Sequence, residues 1–226
     1  MKIAARPQLH LLVSPHEVNA DTDWLAAVAG AIDGGVNVVQ LRNKHDDHSA
    51  IIAQGQQLRT LLREHGVPLV VNDSPELAET IAADGVHLGQ TDQSPLQARQ
   101  RLGEHAIIGY SVENAEQLQT RRRQCAASDY LGVGPVFATP SKPDAAPPVG
   151  LAVLAQIVAA ARADALPVVA VGGVSSANVA DVWRAGVAGV AVISAIARSP
   201  TPRDAARALL APFFASEISE KESEHD

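Results

Sequence analysis

At 226 residues and 46% hydrophobic content, the chain has room for one large domain and too little for two independent cores. The net charge is −7, and the last ten residues supply −4 of it; the weakly acidic body and 3% aromatic content offer neither the basic footprint nor the stacking surface of a nucleic-acid binder. No run approaches the roughly 18 apolar residues of a membrane helix, no secretory stretch opens the chain, and the single cysteine, Cys125, rules out an internal disulfide, so a cytoplasmic setting is expected.

Nearly continuous Val, Ile and Leu at 9–13, 36–41, 69–71, 86–88, 107–110, 130–133, 168–171 and 187–193 predict eight strands of the kind buried on both faces of a parallel sheet. Amphipathic stretches between them, such as 24–32, 51–62, 96–102 and 153–161, predict helices, and the alternation implies right-handed βαβ units. Eight units over 1–215 match a single (β/α)8 TIM barrel, an α/β fold of eight parallel strands. An open doubly wound sheet is the alternative, disfavoured by the lack of a Gly-rich first turn. Asp33-Gly34-Gly35, Ala83-Asp84-Gly85 and Ala185-Gly186 are each read as a left-handed glycine C-cap that delivers the chain to the next strand. Cys125 is expected mid-helix as a small buried hydrophobe. The acidic segment 216–226 has no hydrophobic stripe and is expected to be disordered. Nothing specifies an oligomeric state.

In a barrel, chemistry gathers where strands end. Asp73 follows the third strand and Asp92 the fourth, and an aspartate at such a junction is commonly a helix N-cap. Here Ser74-Pro75 and Ser94-Pro95 supply caps of their own, and Gln97 completes a capping box with Ser94, so both aspartates are surplus to capping. Two carboxylates on adjacent strand ends suit a hard cation such as Mg²⁺ carried with a diphosphate. At the end of the second strand, Gln40, Arg42 and Lys44 share one face, opposite Val39 and Leu41. Either the arginine is paired with a neighbouring acid, or Arg42 and Lys44 form an anion site.

Gly172-Gly173 after the seventh strand and Ser194 after the eighth can be plain tight turns, or the phosphate loops that barrels often carry there. Residues 134–150 form a long aperiodic loop with five prolines and Thr139-Pro140-Ser141-Lys142, either a solvated turn or a lid. Ser111 ends the fifth strand on the same side. The eight histidines match no zinc pattern, His87 reads as a packed strand residue, and no Ser-His-Asp set, nucleophile elbow or strand-centre Schiff-base lysine is present.

Five segments in order resemble the thiamine phosphate synthase family: Gln40-Leu41-Arg42-Asn43-Lys44, Val71-Asn72-Asp73, Gly85-Val86-His87-Leu88-Gly89-Gln90-Thr91-Asp92, the stretch from Gly132-Val133-Gly134-Pro135 to Thr139-Pro140-Ser141-Lys142, and Val171-Gly172-Gly173-Val174. The resemblance runs from about residue 8 to 210. It implies that Gln40, Leu41, Arg42, Asn43, Lys44, Asn72, Ser111 and Lys142 hold an aminopyrimidine diphosphate, with Arg42, Lys44, Ser111 and Lys142 as the catalytic set. It implies one Mg²⁺ per subunit on Asp73 and Asp92, and a thiazole phosphate on Thr139, Pro140, Ser141, Gly173, Ile193 and Ser194. The implied reaction is dissociative, with diphosphate departing before the thiazole nitrogen attacks. Three places depart from the pattern: Ser74 stands for an arginine, Ser141 for a threonine, and Leu12-Val13-Ser14-Pro15 for Val-Thr-Asp. Other readings are a thiazole tautomerase-like relative, which lacks the diphosphate machinery, and a non-catalytic barrel that binds a phosphorylated metabolite.

Overall fold

The computed structural model describes residues 7–141 and 146–223, with side chains described through 216. Its strands are β1 (Gln8–Val13), β2 (Val38–Leu41), β3 (Leu69–Asn72), β4 (Gly85–Leu88), β5 (Ile107–Val112), β6 (Tyr130–Val133), β7 (Val168–Val171) and β8 (Gly189–Val192). They pair in parallel in chain order and β8 returns to β1, so the sheet is a closed barrel and the open-sheet alternative is excluded. Helices α1 (Trp24–Asp33), α2 (His48–His65), α3 (Pro75–Ile81), α4 (Pro95–Leu102), α5 (Ala115–Thr120), α6 (Arg122–Ala126), α7 (Gly150–Arg162), α8 (Val179–Arg184), α9 (Ser194–Ala197) and α10 (Pro202–Ser223) lie outside it. Cys125 is buried in α6. The helix α10 runs through Ser223; the disordered tail expected over 216–226 falls on residues whose side chains from 217, and whose backbone from 224, lie outside the description.

Side-chain alternation sorts each strand into two cores. Leu11, Val39, Leu41, Val71, Val86, Ile108, Leu131 and Val190 face outward into the layer shared with the helices. Leu12, Val38, Val70, Ile107, Tyr130, Val169 and Ala191 face inward and fill the barrel, as stacked layers of side chains do in this architecture. The last helix locks the ring of helices: the Trp183 indole N–H donates to the Leu209 carbonyl at 2.9 Å, and its ring meets Phe213 edge-on at 5.0 Å.

A device recurs at the N-terminal end of the barrel. Asn37, Asp84 and Asp129 stand just before β2, β4 and β6. Each accepts a backbone N–H from the preceding strand on its side chain and donates its own N–H to that residue's carbonyl: Asn37 with Leu9 (2.9 and 3.1 Å), Asp84 with Leu69 (both 2.8 Å) and Asp129 with Ile108 (both 2.7 Å). These clamps fix register two strands at a time, since a slip by one residue would break both bonds and turn the side chains inside out. Before β8 the corresponding residue is Ala188, which keeps only the backbone half, to Val168 at 2.8 Å.

Two of the three glycine turns carry the expected left-handed glycine and one does not. The left-handed residues are Gly35, Ala82 and Gly186, whereas Gly34 is right-handed and Gly85 is the first residue of β4. Gly34 and Gly85 are there for space: a Cβ on Gly34 would lie 2.7 Å from that of Ala206 in α10, and one on Gly85 would lie 2.7 Å from both the carbonyl carbon and the Cβ of Ile107. The clamp makes a test possible. Asp84→Ala orphans the Leu69 N–H and is expected to cost about 1–3 kcal/mol in a urea titration, whereas Asp84→Asn, which keeps an acceptor as Asn37 does, recovers most of it. Equal losses in the two variants would show that the clamp does not act through its acceptor.

Candidate active site

At the C-terminal ends of the strands the barrel opens on a cleft of about 730 Å³, beneath which a chamber of about 160 Å³ reaches into the barrel. Two carboxylates stand on the β3–β4 side. Asp73 leaves β3 with φ 66°, and its N–H donates to the His87 carbonyl on β4 at 2.8 Å. Left-handed backbone costs a non-glycine residue roughly 1–2 kcal/mol, and such strain persists where the surroundings enforce it. Asp92 closes the turn after β4, its Oδ2 accepting the Gly89 N–H at 2.7 Å. Neither aspartate caps a helix: Ser74 accepts from the Leu77 N–H at 3.1 Å, and Ser94 forms the capping box with Gln97.

Lys44, half exposed, pairs with the Asp73 carboxylate, and Arg42 lines both the cleft and the chamber. Burial, with the charge of Asp73 added to it, raises the Asp92 carboxyl above the ordinary carboxylate range, against the Gly89 N–H that lowers it. Two carboxylates served by one lysine are short of positive charge, and a divalent cation fits that deficit. Among the described residues no cluster of three or more His, Cys, Asp or Glu suited to a metal occurs. A cation held here would therefore take the rest of its shell from water and substrate oxygens, which is how Mg²⁺ is usually bound.

The opposite wall comes from β6, β7 and β8. Gly172 and Gly173 follow β7 with φ of 93° and 67°, and a Cβ on Gly173 would come within 2.7 Å of the Ala138 carbonyl oxygen. Only glycine lets the loop after β6 lie against this turn, where Val136 and Phe137 donate to Val171 and Gly172 at 2.9 and 3.0 Å. Thr139, Pro140, Ser141, Gly173, Ile193 and Ser194 line this wall together. The loop's far end is tied to its start, Val149 N–H to Pro135 O at 2.8 Å and Gly150 N–H to Val136 O at 3.1 Å. Lys142 lies outside the described residues.

The chamber is lined by His10, Gln40, Asn72, His87, Ser111 and Tyr130. His87 joins two of them, Nδ1 to the Tyr130 hydroxyl and Nε2 to Ser111 Oγ, both at 3.0 Å. Burial lowers the His87 imidazole to about 4 against the opposing charge of Asp73, and lowers His10 to about 3 with a small push from His87. Burial pushes the Tyr130 phenol up. At neutral pH these two imidazoles and the phenol are thus uncharged, and the charge the chamber does carry comes from Arg42, Lys44 and Asp73, which it shares with the cleft above.

This arrangement has close counterparts. The family model for thiamine monophosphate synthase matches residues 9–196. The chain belongs to the thiamine monophosphate synthase family. Among its family relatives, thiamine-phosphate synthase of Roseiflexus sp. (strain RS-1) is 47% identical over 86% of this chain and 80% of its own length. That of Roseiflexus castenholzii is 48% identical over 88% and 85%. A solved thiamine phosphate pyrophosphorylase from Pyrococcus furiosus superposes with a TM-score of 0.78 at 32% identity, covering 91% of this chain and 94% of that one. A structure titled native KDPGal shares the fold alone, at 17% identity and a TM-score of 0.67.

In this member of the thiamine monophosphate synthase family, the structure brings Gln40, Arg42, Lys44, Asn72, Asp73, Asp92, Ser111, Thr139, Pro140, Ser141, Gly173, Ile193 and Ser194 around the cleft and chamber. Two expected site residues point elsewhere. Leu41 packs into the outer core, as its place opposite Gln40 requires. Asn43 braces the start of α2, donating to Asp46 at 2.7 Å and Gln54 at 2.9 Å. His10 and Tyr130 line the chamber without having been singled out; the inward alternation that selected Gln40 applies to them equally, Tyr130 heading the series Tyr130, Gly132, Gly134.

The raised Asp92 carboxyl gives a signed expectation. Its charged form is disfavoured in the fold, so the cost is absent at low pH, develops as pH rises from the ordinary carboxylate value of 3.8 through the raised folded one, and is complete at neutral pH. Asp92→Asn should therefore raise Tm in metal-free buffer at pH 7.5, by about 2 °C because the group is partly solvated, and give no gain at pH 3. A lower Tm at pH 7.5 would mean that Asp92 is stabilising as a carboxylate.

Proposed function

We propose that the chain catalyses the condensation of 4-amino-2-methyl-5-(diphosphomethyl)pyrimidine with a 4-methyl-5-(2-phosphoethyl)thiazole, giving thiamine phosphate and pyrophosphate, and carbon dioxide as well when the thiazole is carboxylated. Family membership makes it a transferase of thiamine biosynthesis. One observation carries the reading of its site: a single cleft joins a carboxylate pair flanked by Arg42 and Lys44 to a glycine- and serine-lined wall on β7 and β8, with a chamber below that adds the uncharged polar groups of Gln40, Asn72, His87 and Ser111. Both substrates carry phosphate, and the two walls offer it separate places.

In this reading Gln40, Asn72 and Ser111 seat the aminopyrimidine end, and Arg42, Lys44 and Lys142 hold the diphosphate. Thr139, Ser141, Gly173 and Ser194 hold the thiazole phosphate, with Pro140 and Ile193 shaping its wall. Asp73 and Asp92 would hold one Mg²⁺, which when bound neutralises charge on the diphosphate. The methylene C–O bond breaks, and its electron pair leaves with the diphosphate. Positive charge on the methylene carbon spreads into the aminopyrimidine, and the thiazole nitrogen's lone pair then forms the new C–N bond. No proton is abstracted, in keeping with a site whose described residues offer cations and oriented donors and whose two buried imidazoles are held well below their ordinary range. Arg42 and Lys44 act by stabilising charge as it develops on the leaving group, and the loop bearing Lys142 excludes water that would otherwise trap the cation.

The protein is expected to release pyrophosphate from the two substrates with Mg²⁺ present, and to stop when EDTA is added. Asp92→Ala is expected to lower turnover by about 100-fold or more with its circular dichroism unchanged, and Lys142→Ala by about 10- to 100-fold. Absence of pyrophosphate release from the wild-type protein would overturn the proposed activity. Undiminished turnover in Asp92→Ala would overturn the metal role.

A further inference from the structure

Below the charged cleft runs a hydrogen-bond chain that the condensation itself does not require. It begins at Gln40 on β2, 3% exposed, whose Oε1 has no hydrogen-bond partner among the described residues. The Gln40 side chain is nonetheless hydrogen-bonded to Tyr130, so the atom it turns there is the amide nitrogen, a donor. The phenol oxygen accepts that bond and has one proton of its own to give. The acceptor within reach of that proton is His87 Nδ1, at 3.0 Å, and a ring nitrogen that accepts it is the unprotonated one. A neutral imidazole with Nδ1 as acceptor carries its proton on Nε2, and Nε2 lies 3.0 Å from Ser111 Oγ. The serine oxygen is thereby occupied as an acceptor, and its own O–H is turned to the cleft and chamber that Ser111 lines.

The sequence makes room for this imidazole at two positions. His87 on β4 lies opposite Gly109 on β5, and beyond it Tyr130 and Gly132 belong to β6. A Cβ on Gly109 would collide with His87 Nδ1 and the Tyr130 hydroxyl, and one on Gly132 would come within 2.7 Å of His87 Cε1. Tyr130 is held in turn between two rings, stacked with His87 at 5.4 Å and met edge-on by His10 at 5.1 Å. Two adjacent strands thus each omit an inward side chain around one ring. A ring needed only to fill volume would be met by apolar side chains of the kind found in the inner core, whereas this one sits in its two vacancies with both nitrogens on hydroxyl groups.

We propose that His87 is a positioning residue: seated by Gly109 and Gly132 and held in its Nε2–H form by Tyr130, it fixes the Ser111 hydroxyl as a hydrogen-bond donor toward the substrate. The inference rests on the condensation reading for what Ser111 touches, and on the geometry alone for the direction of the chain. Run the other way, from Ser111 O–H to Nε2 and from Nδ1–H to the phenol, the chain would leave the Tyr130 O–H with no acceptor among the described residues, since Gln40 meets it with its amide nitrogen. A donor set in advance needs no reorientation when charge develops, whereas a freely rotating hydroxyl does.

Two measurements separate this inference from the activity it serves. Long-range ¹H–¹⁵N correlation spectra of the histidine-labelled wild-type protein, with His87 assigned by its loss in His87→Gln, are expected to show the Nε2–H form. The Nδ1–H form, or a mixture of the two, would overturn the chain whatever the protein catalyses. In the pyrophosphate-release assay, Tyr130→Phe is expected to lower kcat/KM for the pyrimidine diphosphate about tenfold when Ser111 is present and to have no further effect in a Ser111→Ala background. Losses that multiply would show that Tyr130 matters only to packing and would overturn the proposal. If Tyr130→Phe does not fold, Gly132→Ala, which displaces the ring from its slot, takes its place in the same cycle. Failure of the wild-type protein to release pyrophosphate would count against the condensation alone, since the spectra decide the chain's direction without turnover.

Discussion

Gly189 lies opposite Gln8 where β8 meets β1, and a Cβ there would come within 2.6 Å of the Gln8 carbonyl oxygen. The missing side chain lets the last strand approach the first and the ladder close. Closure leaves no strand edge, and it points one set of alternate side chains inward and the other toward the helices. It also gathers eight strand ends into one ring, so residues as far apart in sequence as Arg42 and Ser194 line the same cleft. The cleft is in this sense a property of the closed ladder, and each wall is tuned by the few residues that follow each strand.

The walls differ in kind because their backbones differ. On the β3–β4 side, Asp73 sits in left-handed backbone and Asp92 in a tight turn, and the charge they concentrate is only partly offset by Lys44. On the β7 side, glycine takes the left-handed positions and brings a second loop alongside, so hydroxyl and backbone groups replace carboxylates. Beneath both, burial strips the His10 and His87 imidazoles of charge. A molecule that is ionic at one end and a neutral heterocycle at the other finds matching surroundings along the barrel axis.

Much of this was legible in the sequence. Eight β-branched runs specified the strands because parallel strands buried on both faces admit little else, and all eight appear, with boundaries shifted by at most two residues. The aspartates could be set apart from helix caps because Ser74 and Ser94 were visible as caps, a local signal in a local pattern. What pattern could not resolve was space. Gly34 and Gly85 read as turn residues, yet they serve close approaches to α10 and β5, contacts between segments distant in sequence. Asn43 shared a motif with Arg42 and Lys44 but turns to Asp46 and Gln54, since a motif records neighbours in sequence and not the direction each side chain takes. The His87–Tyr130 link spans 43 residues and appears only once the ladder sets β4 two strands from β6.

The register clamps on Leu9, Leu69 and Ile108 lie at the N-terminal end of the barrel, and the cleft opens at the other. Stability in enzymes is often gained at the expense of activity, because the same strained and mobile groups serve both. Here the two are lodged at opposite ends of a stiff cylinder. Ala188, the position before β8 that lacks the side-chain half of the clamp, is therefore a place where drift or design can add rigidity while the strained Asp73 and the long loop after β6 keep theirs unchanged.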